Sequence, residues 1–246
     1  MLEQLNPPQR EAVTTLRGPM LVLAGAGTGK TRVVTFRIAN LIRHGTTPTR
    51  ILAVTFTNKA AREMKHRVSE LVHPRRKKRA DDEDSMPIVA TFHAYCVQIL
   101  RRHIQKLGYP ERFAIYDRGD QEGLARKVLR EIRVTDAALK PSELLWCISS
   151  WKNRCVRPPE AVNLAETDKE HLAAVAYRRY QRELKNAGAV DFDDLLLLTE
   201  ELFSSNAEVR REEAQRLDHL LIDEYQDTNG SQYRIVRALA SGHRNL

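Results

Sequence analysis

Apolar positions in the first hundred residues follow two patterns in turn. Short apolar runs typical of buried strands occur at Met20-Leu21-Val22-Leu23, Ile51-Leu52-Ala53-Val54 and Ile88-Val89-Ala90. Each run is followed by apolar residues at the three-and-four spacing of an amphipathic helix, namely Val34, Ile38, Leu41 and Ile42, then Met64, Val68 and Leu71, then Val97, Leu100, Ile104 and Leu107. Apolar strands that alternate with helices predict a parallel sheet covered by helices.

Single residues predict where these helices begin and end. The first helix should begin near Lys30 and stop at Gly45, because glycine readily adopts the left-handed backbone that ends helices. Asn58 is a candidate N-cap for the second helix, and Gly108 should end the third.

The pattern changes over residues 93–216, where helical spacing recurs and no convincing strand is predicted. The apolar sets are Leu124-Val128-Leu129-Ile132, Leu144-Leu145-Ile148 and Phe192-Leu195-Leu196. Leu220-Leu221-Ile222 then resumes the strand pattern, and a helix carrying Tyr233, Val236 and Leu239 follows. We therefore predict an α/β domain made of residues 1–91 and 217–246, interrupted by an all-helical insertion at 92–216.

Composition is that of a globular protein, with 246 residues of which 42% are hydrophobic and 29% charged. The longest apolar runs are too short to span a bilayer, and the first residues lack the basic and apolar stretches of a secretory signal. We therefore expect a cytoplasmic protein with no membrane partner. Cys96, Cys147 and Cys155 form no paired framework and no CxxC motif, so we expect buried free thiols.

The formal charge of +8 permits a polyanionic partner but does not establish one. A basic run at 74–79 is followed directly by four acidic residues at 81–84. Such runs are usually solvated loops, and the acidic block would largely cancel the field of the basic one. A nucleic-acid contact at the basic run remains the alternative.

A glycine-rich loop between the first strand and the first helix carries the chemistry of phosphate binding. It reads Ala24-Gly25-Ala26-Gly27-Thr28-Gly29-Lys30-Thr31, with alanine where the strict pattern has its first glycine. The glycines allow backbone N–H groups to approach phosphate oxygens, and the helix N-terminus adds its own unpaired N–H groups. Lys30 would reach the β- and γ-phosphates, and the Thr31 hydroxyl would ligate Mg²⁺.

Two carboxylates follow the last predicted strand. Asp223 and Glu224 come directly after Leu220-Leu221-Ile222, and the carboxyl ends of parallel strands face the ligand crevice. Asp223 could hold the Mg²⁺ ion, and Glu224 could orient or deprotonate the attacking water. The catalytic candidates are therefore Lys30, Asp223 and Glu224, and the metal candidates are Thr31 and Asp223.

Taken together, these motifs resemble the superfamily 1A DNA helicases of the UvrD/Rep/PcrA family, over nearly the whole chain. The segment from Leu5 to Val13 resembles the family's Q motif, Ala24 to Arg32 its motif I, and Asp223 to Asn229 its motif II. The resemblance implies a RecA-like P-loop NTPase domain (1A) with a helical insertion (1B), and it implies ATP and Mg²⁺ as ligands. It further implies that Gln9 reads the adenine edge, and that Arg32 and Arg67 line the nucleotide pocket.

The same resemblance implies a DNA-binding face. Ala53 to Ala61 resembles motif Ia, and Thr91-Phe92-His93 resembles motif Ib. The candidate DNA contacts are Phe56, Thr57, Asn58, Thr91, Phe92 and His93, with Phe56 stacking on a base. A core position is the alternative for Phe56 and Phe92. The acids of Asp191-Phe192-Asp193-Asp194-Leu195 also resemble a family signature, and we interpret them as structural or coupling residues.

The resemblance predicts the N-terminal ATP-binding portion of a 3′→5′ DNA helicase or single-strand translocase acting in repair, replication or recombination. Its expected partners are single-stranded DNA, or a single-strand/double-strand junction, and a second motor domain, which this sequence lacks. We expect the isolated chain to bind ATP and single-stranded DNA, to hydrolyse ATP very slowly and not to unwind DNA. A truncated, non-catalytic ATP- and DNA-binding module is the main alternative, and an ATPase that serves nuclease or recombination complexes is the third.

Overall fold

The fold comes from a computed structural model that describes residues 1–73, 86–135 and 137–246. The basic and acidic runs at 74–79 and 81–84 lie outside the described residues. The helices are α1 (Pro7–Thr14), α2 (Lys30–Arg43), α3 (Asn58–Val72), α4 (Phe92–His103), α5 (Arg118–Glu131), α6 (Pro141–Asn153), α7 (Pro158–Leu164), α8 (Asp168–Asn186), α9 (Asp194–Ser205), α10 (Ala207–Gln215) and α11 (Gly230–Leu239). The strands are β1 (Ile51–Thr55), β2 (Ile88–Thr91), β3 (Ala114–Ile115), β4 (Ala189–Val190) and β5 (His219–Ile222).

The chain divides into two compact units, which are described separately. The sheet unit comprises residues 1–95, 208–228 and 236–246, and the helical unit comprises residues 96–207 and 229–235. Residues 229–235 group with the helical unit, a grouping that the strand and helix pattern did not indicate. The domain boundaries expected at 91/92 and 216/217 remain predictions.

The sheet unit is built on three parallel strands in the order β2-β1-β5. Ala53 of the central strand lies opposite Val89 on one side and Leu221 on the other. All five residues of β1 are buried, as expected for a strand that is covered on both faces. The parallel sheet with flanking helices confirms the predicted α/β class.

The predicted strand at Met20–Leu23 is not part of this sheet. Leu21 is 67% and Leu23 86% exposed, and the segment has no regular secondary structure. Instead, the Met20 N–H donates to the Leu246 carbonyl at 2.8 Å, and the Leu220 N–H of β5 donates to the Asn245 carbonyl at 3.0 Å. Residues 245–246 thus lie beside β5 and accept one backbone hydrogen bond from the start of the apolar run. The run has the composition of a strand, but it is not one of the three strands of this sheet.

The helix ends follow the predictions in part. Helix α2 begins at Lys30, and Gly45 just after it has a φ of +92°. The N-cap of α3 is Thr57 rather than Asn58, because the Thr57 hydroxyl accepts the Ala60 N–H at 3.1 Å while Asn58 is already the first helical residue. Helix α4 ends at His103, and a 3-10 turn continues the chain to Gly108, whose φ is +74°.

The helical unit packs its helices around one large core, whose members include Leu144, Ile148, Trp151, Tyr177 and Tyr180. It is not wholly helical, because β3 and β4 form a parallel pair of two residues each. Such short strands lie below the length at which an apolar alternation is recognisable, which explains why the sequence did not indicate them. All three cysteines are free and buried, as predicted. No helix in the described part of the chain is long and apolar enough to cross a membrane.

Candidate functional site

The glycine-rich loop leads directly into α2 with its backbone open to a ligand. Gly27 and Gly29 have φ values of +76° and +88°, a region that side chains with a Cβ rarely adopt. The Thr28 hydroxyl donates to the Gly25 carbonyl at 2.7 Å and closes the loop on itself. Gly29 provides no side-chain cap, so the first N–H groups of α2 remain available, and a helix N-terminus of this kind favours an anion.

The structure brings the loop and the acidic pair together across 192 positions of sequence. The Thr31 hydroxyl donates to Oδ2 of Asp223 at 3.2 Å. The Lys30 ammonium lies 3.7 Å from Oε2 of Glu224 and 3.3 Å from the Ala24 carbonyl oxygen. The four side chains that were predicted from separate motifs therefore form one cluster.

Asp223 is buried, with 6% of its surface exposed. Burial raises the pKa of its carboxyl above the usual value, while the hydrogen bond from Thr31 lowers it and the nearby charge of Glu224 raises it. A buried carboxylate that adjoins a hydroxyl oxygen suits a small divalent cation, since Mg²⁺ prefers oxygen ligands and would offset the lost hydration. The donor set of Thr31 and Asp223 therefore fits the predicted metal.

Glu224 holds an uncommon backbone conformation for a residue with a side chain, with φ +54° and ψ +47°. Its Oε2 accepts a hydrogen bond from Nε2 of Gln226 at 2.5 Å. A left-handed conformation at a non-glycine residue costs on the order of 1–3 kcal/mol and clusters at functional sites. The turn directs the Glu224 carboxylate towards Lys30 immediately after β5 ends.

A cavity of about 540 Å³ in the sheet unit joins these groups to an apolar wall. Its polar lining includes Lys30, Arg37, Asp223 and Glu224, and Leu21 and Leu221 are among the apolar residues that line it. Its volume is typical of a site for a small molecule.

Gln9 lies beside the loop and is hydrogen-bonded at both ends of its amide. Its Nε2 donates to the Thr28 carbonyl at 2.9 Å, and its Oε1 accepts the Asn6 N–H at 3.2 Å. The Asn6 side chain in turn accepts the Gln9 N–H at 2.9 Å, which completes a capping box at the start of α1. An asparagine followed three residues later by glutamine is a signal for this cap, and sequence reasoning did not use it.

The two arginines predicted to line the pocket make contacts on their own helices. The guanidinium of Arg32 lies 5.2 Å from the centre of the Phe36 ring. Arg67 donates to Glu63 one turn earlier on α3, and both side chains are about half exposed. Their contact with a nucleotide stays a prediction.

The candidate DNA residues lie at the carboxyl ends of β1 and β2 and in the first turns of the helices that follow. The rings of Phe56 and Phe92 pack at a centroid distance of 5.7 Å and an angle of 60°. Phe92 is 4% exposed, while Phe56 is partly exposed. The Thr91 hydroxyl accepts the Ala94 N–H at 3.2 Å, and Thr57 caps α3 beside the exposed Asn58.

His93, in the first turn of α4, is partly buried. Burial lowers its pKa from the ordinary value near 6.5 to about 4. The imidazole is therefore neutral at pH 7, so it could serve a phosphate or sugar as a hydrogen-bond donor but not as a cation.

The acids of the 191–195 signature surround a lysine that sequence reasoning missed. In the helical unit, the Lys152 ammonium lies 2.7 Å from carboxylate oxygens of both Asp191 and Asp194. Lys152 is 1% exposed; burial opposes its charge, but the two acids more than offset that, and the pKa of Lys152 is raised well above its usual value. The Tyr180 hydroxyl donates to Asp191 at 3.2 Å. These contacts fit a structural role for the acids, and a coupling role stays a prediction.

Comparison with known proteins agrees with the geometry. The sequence model of the UvrD/REP helicase N-terminal domain matches residues 5–246. A protein of Leuconostoc citreum named ATP-dependent DNA helicase PcrA is 42% identical over 243 residues, which are 98% of this chain and 32% of that protein. Proteins of the same name from Staphylococcus aureus (strain Mu50 / ATCC 700699) and Bacillus subtilis (strain 168) are 40% and 42% identical over the full chain.

In the last two relatives, the matching part is 33% and 32% of the protein, so this chain spans about a third of the length of the curated relatives it matches. The matched residues include the glycine-rich loop, the acidic pair and the helical unit. The chain belongs to the UvrD/REP helicase family, of which it carries the N-terminal domain.

Proposed function

We propose that this chain is the ATP-binding portion of a DNA-dependent ATPase, a 3′→5′ helicase or single-strand translocase acting in DNA repair, replication or recombination. The observation that carries the proposal is the Thr31 to Asp223 hydrogen bond of 3.2 Å, with the Lys30 ammonium 3.7 Å from Glu224. A phosphate-binding loop alone would support nucleotide binding of any kind. Hydrolysis is supported by two further contacts: the buried acid Asp223 adjoins the Thr31 hydroxyl that would ligate Mg²⁺, and the second acid, Glu224, adjoins the lysine that would bind phosphate.

Each group in the cluster has a distinct task with ATP. The N–H groups of Gly25 to Gly29 and of the first turn of α2 receive the phosphate oxygens, and Lys30 neutralises the β- and γ-phosphates. Thr31 and Asp223 hold the Mg²⁺ ion. When bound, that ion supplies charge that stabilises the β- and γ-oxygens. The Lys30 ammonium then exchanges Glu224 for phosphate, which frees the Glu224 carboxylate to orient and deprotonate water.

Gln9 reads the adenine. A glutamine amide has two N–H donors and two acceptor lone pairs, and the contacts with Thr28 and Asn6 use one of each. One donor and one lone pair remain, which match the N7 acceptor and the N6 donor on one edge of adenine. Arg32 and Arg67 complete the pocket.

The DNA face lies at the carboxyl ends of β1 and β2. Phe56 offers a partly exposed ring to a base, and the buried ring of Phe92 supports it from behind. Stacking on an aromatic ring is worth about 1–3 kcal/mol per base and tolerates any sequence. Thr57, Asn58, Thr91 and His93 offer neutral hydrogen bonds to phosphates and sugars, so the expected partner is single-stranded DNA or its junction with duplex.

The isolated chain should bind ATP much better than it hydrolyses it. Motors of this type complete their site with an arginine from a second domain, and such an arginine is worth about 10³–10⁵-fold in rate. We therefore expect no unwinding from this chain alone.

The test is nucleotide affinity and turnover of the purified chain, with Lys30→Ala as the test variant and Lys127→Ala as its control. Lys127 is an exposed lysine of the helical unit that pairs with Glu183. Lys30→Ala should weaken Mg-ATP binding at least tenfold and abolish residual hydrolysis, while Lys127→Ala matches the parent. Equal ATP affinity in the two variants would refute the site, and strong DNA stimulation would refute the expected weak turnover. Binding of ATP and single-stranded DNA with no turnover at all would favour the non-catalytic module.

A further inference from the structure

The C-terminal end of α1 is held by two buried polar side chains of α2. The Arg37 guanidinium donates to the Ala12 carbonyl at 2.8 Å and also to the Thr15 carbonyl. Nδ2 of Asn40, one turn later, donates to the Val13 carbonyl at 3.1 Å. Arg37 is 5% exposed and Asn40 3%. Three hydrogen bonds from two side chains of α2 thus join the two helices in addition to apolar packing.

The chemistry of this contact follows from the end of a helix. The last four carbonyls of an α-helix have no partner within it, and a basic side chain is a common way to satisfy them. Burial of the charged Arg37 guanidinium nevertheless costs free energy, and it lowers the pKa of that group. No ion pair between Arg37 and a carboxylate is described within residues 1–73, 86–135 and 137–246. An aliphatic residue would pack two helices more cheaply. The hydrogen bonds of the guanidinium, unlike apolar packing, fix where α1 lies along α2.

The other end of α1 is held at the start of α2. Gln9 is in the first turn of α1, where the capping box with Asn6 fixes its side chain, and its Nε2 donates to the Thr28 carbonyl in the phosphate loop. Helix α1 has eight residues, so its length is about 12 Å. A short rigid helix whose far end moves must move Gln9 as well.

We propose that Arg37, supported by Asn40, is a positioning residue that fixes Gln9 for recognition of the base and so sets the preference of the nucleotide site for adenine. The inference rests on the proposed function, in which Gln9 reads adenine. Guanine presents two acceptors, O6 and N7, on the edge where adenine presents an acceptor and a donor. Discrimination therefore needs the remaining donor and lone pair of Gln9 in register with that edge, and a small displacement of α1 removes it.

The experiment compares three ligands on the full 246-residue chain with Mg²⁺: ATP, GTP and inorganic tripolyphosphate, which has no base. Affinities are measured by calorimetry for the parent, Gln9→Ala, Arg37→Met and the double variant. Arg43→Met is the control, since Arg43 is an exposed arginine in the last turn of the same helix. Arg37→Met should lower the ratio of ATP to GTP affinity by about tenfold, as the loss of one or two base hydrogen bonds implies.

The pattern across variants separates positioning from general stability. Because Arg37 also lines the cavity, Arg37→Met should lower tripolyphosphate affinity by less than it lowers ATP affinity. The double variant should lose no more base preference than Gln9→Ala alone, because both act through the same contact. Arg37→Lys, which keeps a cation with N–H donors but lacks the planar guanidinium, should recover part of the preference. If circular dichroism shows that Arg37→Met does not fold, the three affinities are compared in Arg37→Lys instead.

Three outcomes would overturn the inference. If Gln9→Ala loses the preference for ATP and Arg37→Met keeps it, positioning fails and the proposed function stands. If Arg37→Met or Arg37→Lys weakens all three ligands equally, the contact is only structural. If the parent chain shows no preference for ATP over GTP, or Gln9→Ala keeps it, adenine recognition itself fails and the inference fails with it.

Discussion

Replacing Lys152 with methionine should destabilise the helical unit severely. The Lys152 ammonium lies 2.7 Å from Asp191 and from Asp194, and the three side chains are 0%, 4% and 0% exposed. At an effective dielectric constant of about 20, each attraction at this distance is on the order of 6 kcal/mol. The desolvation of three buried ions cancels much of that gain in the intact network. Removing the cation alone leaves two uncompensated carboxylates, for which the expected loss is about 3–5 kcal/mol in the free energy of unfolding.

The loss in Lys152→Met should depend on pH with a definite sign. Burial and the charge of Asp191 raise the pKa of Asp194 to about 6, although Lys152 lowers it. Without Lys152 that pKa rises further. A carboxyl whose pKa is raised by folding contributes stability below its unfolded pKa and loses it as the pH rises through the folded value. The difference in unfolding free energy between Lys152→Met and the parent should therefore be smaller at pH 5 than at pH 8.

Urea unfolding followed by tryptophan fluorescence measures this effect directly, because both tryptophans of the chain, Trp146 and Trp151, lie in the helical unit. Trp151 stacks on Tyr177 at a centroid distance of 5.9 Å and reports core packing. Lys127→Met is the matched control, since Lys127 pairs with Glu183 at 2.8 Å but is 56% exposed, and it should change little. A loss below about 1 kcal/mol in Lys152→Met, or a gap that widens towards pH 5, would refute the reasoning.

Three further substitutions test other parts of the structure. Gly188→Ala should cost about 1–3 kcal/mol in the free energy of urea unfolding, because its φ is +62° and a Cβ would lie 2.9 Å from Cγ of Pro110. Gly45→Ala is the control for backbone strain alone, since Gly45 has a φ of +92° and nothing within 4 Å of an added Cβ. An equal cost for both variants would exclude the clash with Pro110. The pKa of His93, lowered by burial to about 4, means that its contribution to stability is complete above pH 6.5 and is lost as the pH falls through 4. His93→Gln should therefore flatten the decline in unfolding free energy between pH 6.5 and 4, and an unchanged slope contradicts the burial effect. Glu224→Gln should lower the rate of single-turnover ATP hydrolysis by about 10²–10⁴-fold and leave ATP affinity within about threefold of the parent. This is expected for a residue that acts on water rather than on phosphate. A parallel loss of ATP affinity would assign Glu224 to nucleotide binding.

The sequence predicted most of the sheet unit because local patterns and topology agree there. Three of the four apolar runs became strands, and α2 begins at Lys30 as expected. The rule that the carboxyl ends of parallel strands face the ligand crevice correctly placed Asp223 after β5. Thr31 meets Asp223 there although the apolar run before the glycine-rich loop is not a strand.

The remaining features depend on contacts that local patterns do not encode. Thr57 and Asn58 are both good caps, and only the extended backbone of Thr57 decides between them. Lys152 occupies a helix position that a lysine normally leaves in water, and its partners are 39 or more positions away. The fit of an arginine to carbonyls at the end of α1 likewise depends on the register of two helices, which apolar spacing leaves open.

The apolar segment at 20–23 determines how the purified chain should behave in concentrated solution. With Leu21 67% and Leu23 86% exposed, the sheet unit offers apolar side chains to any neighbouring molecule. Light scattering should report self-association that grows with concentration and with sulfate, which strengthens apolar contacts. Charged replacements at Leu21 and Leu23 should suppress it and improve the yield of monomer, without affecting the melting of the helical unit.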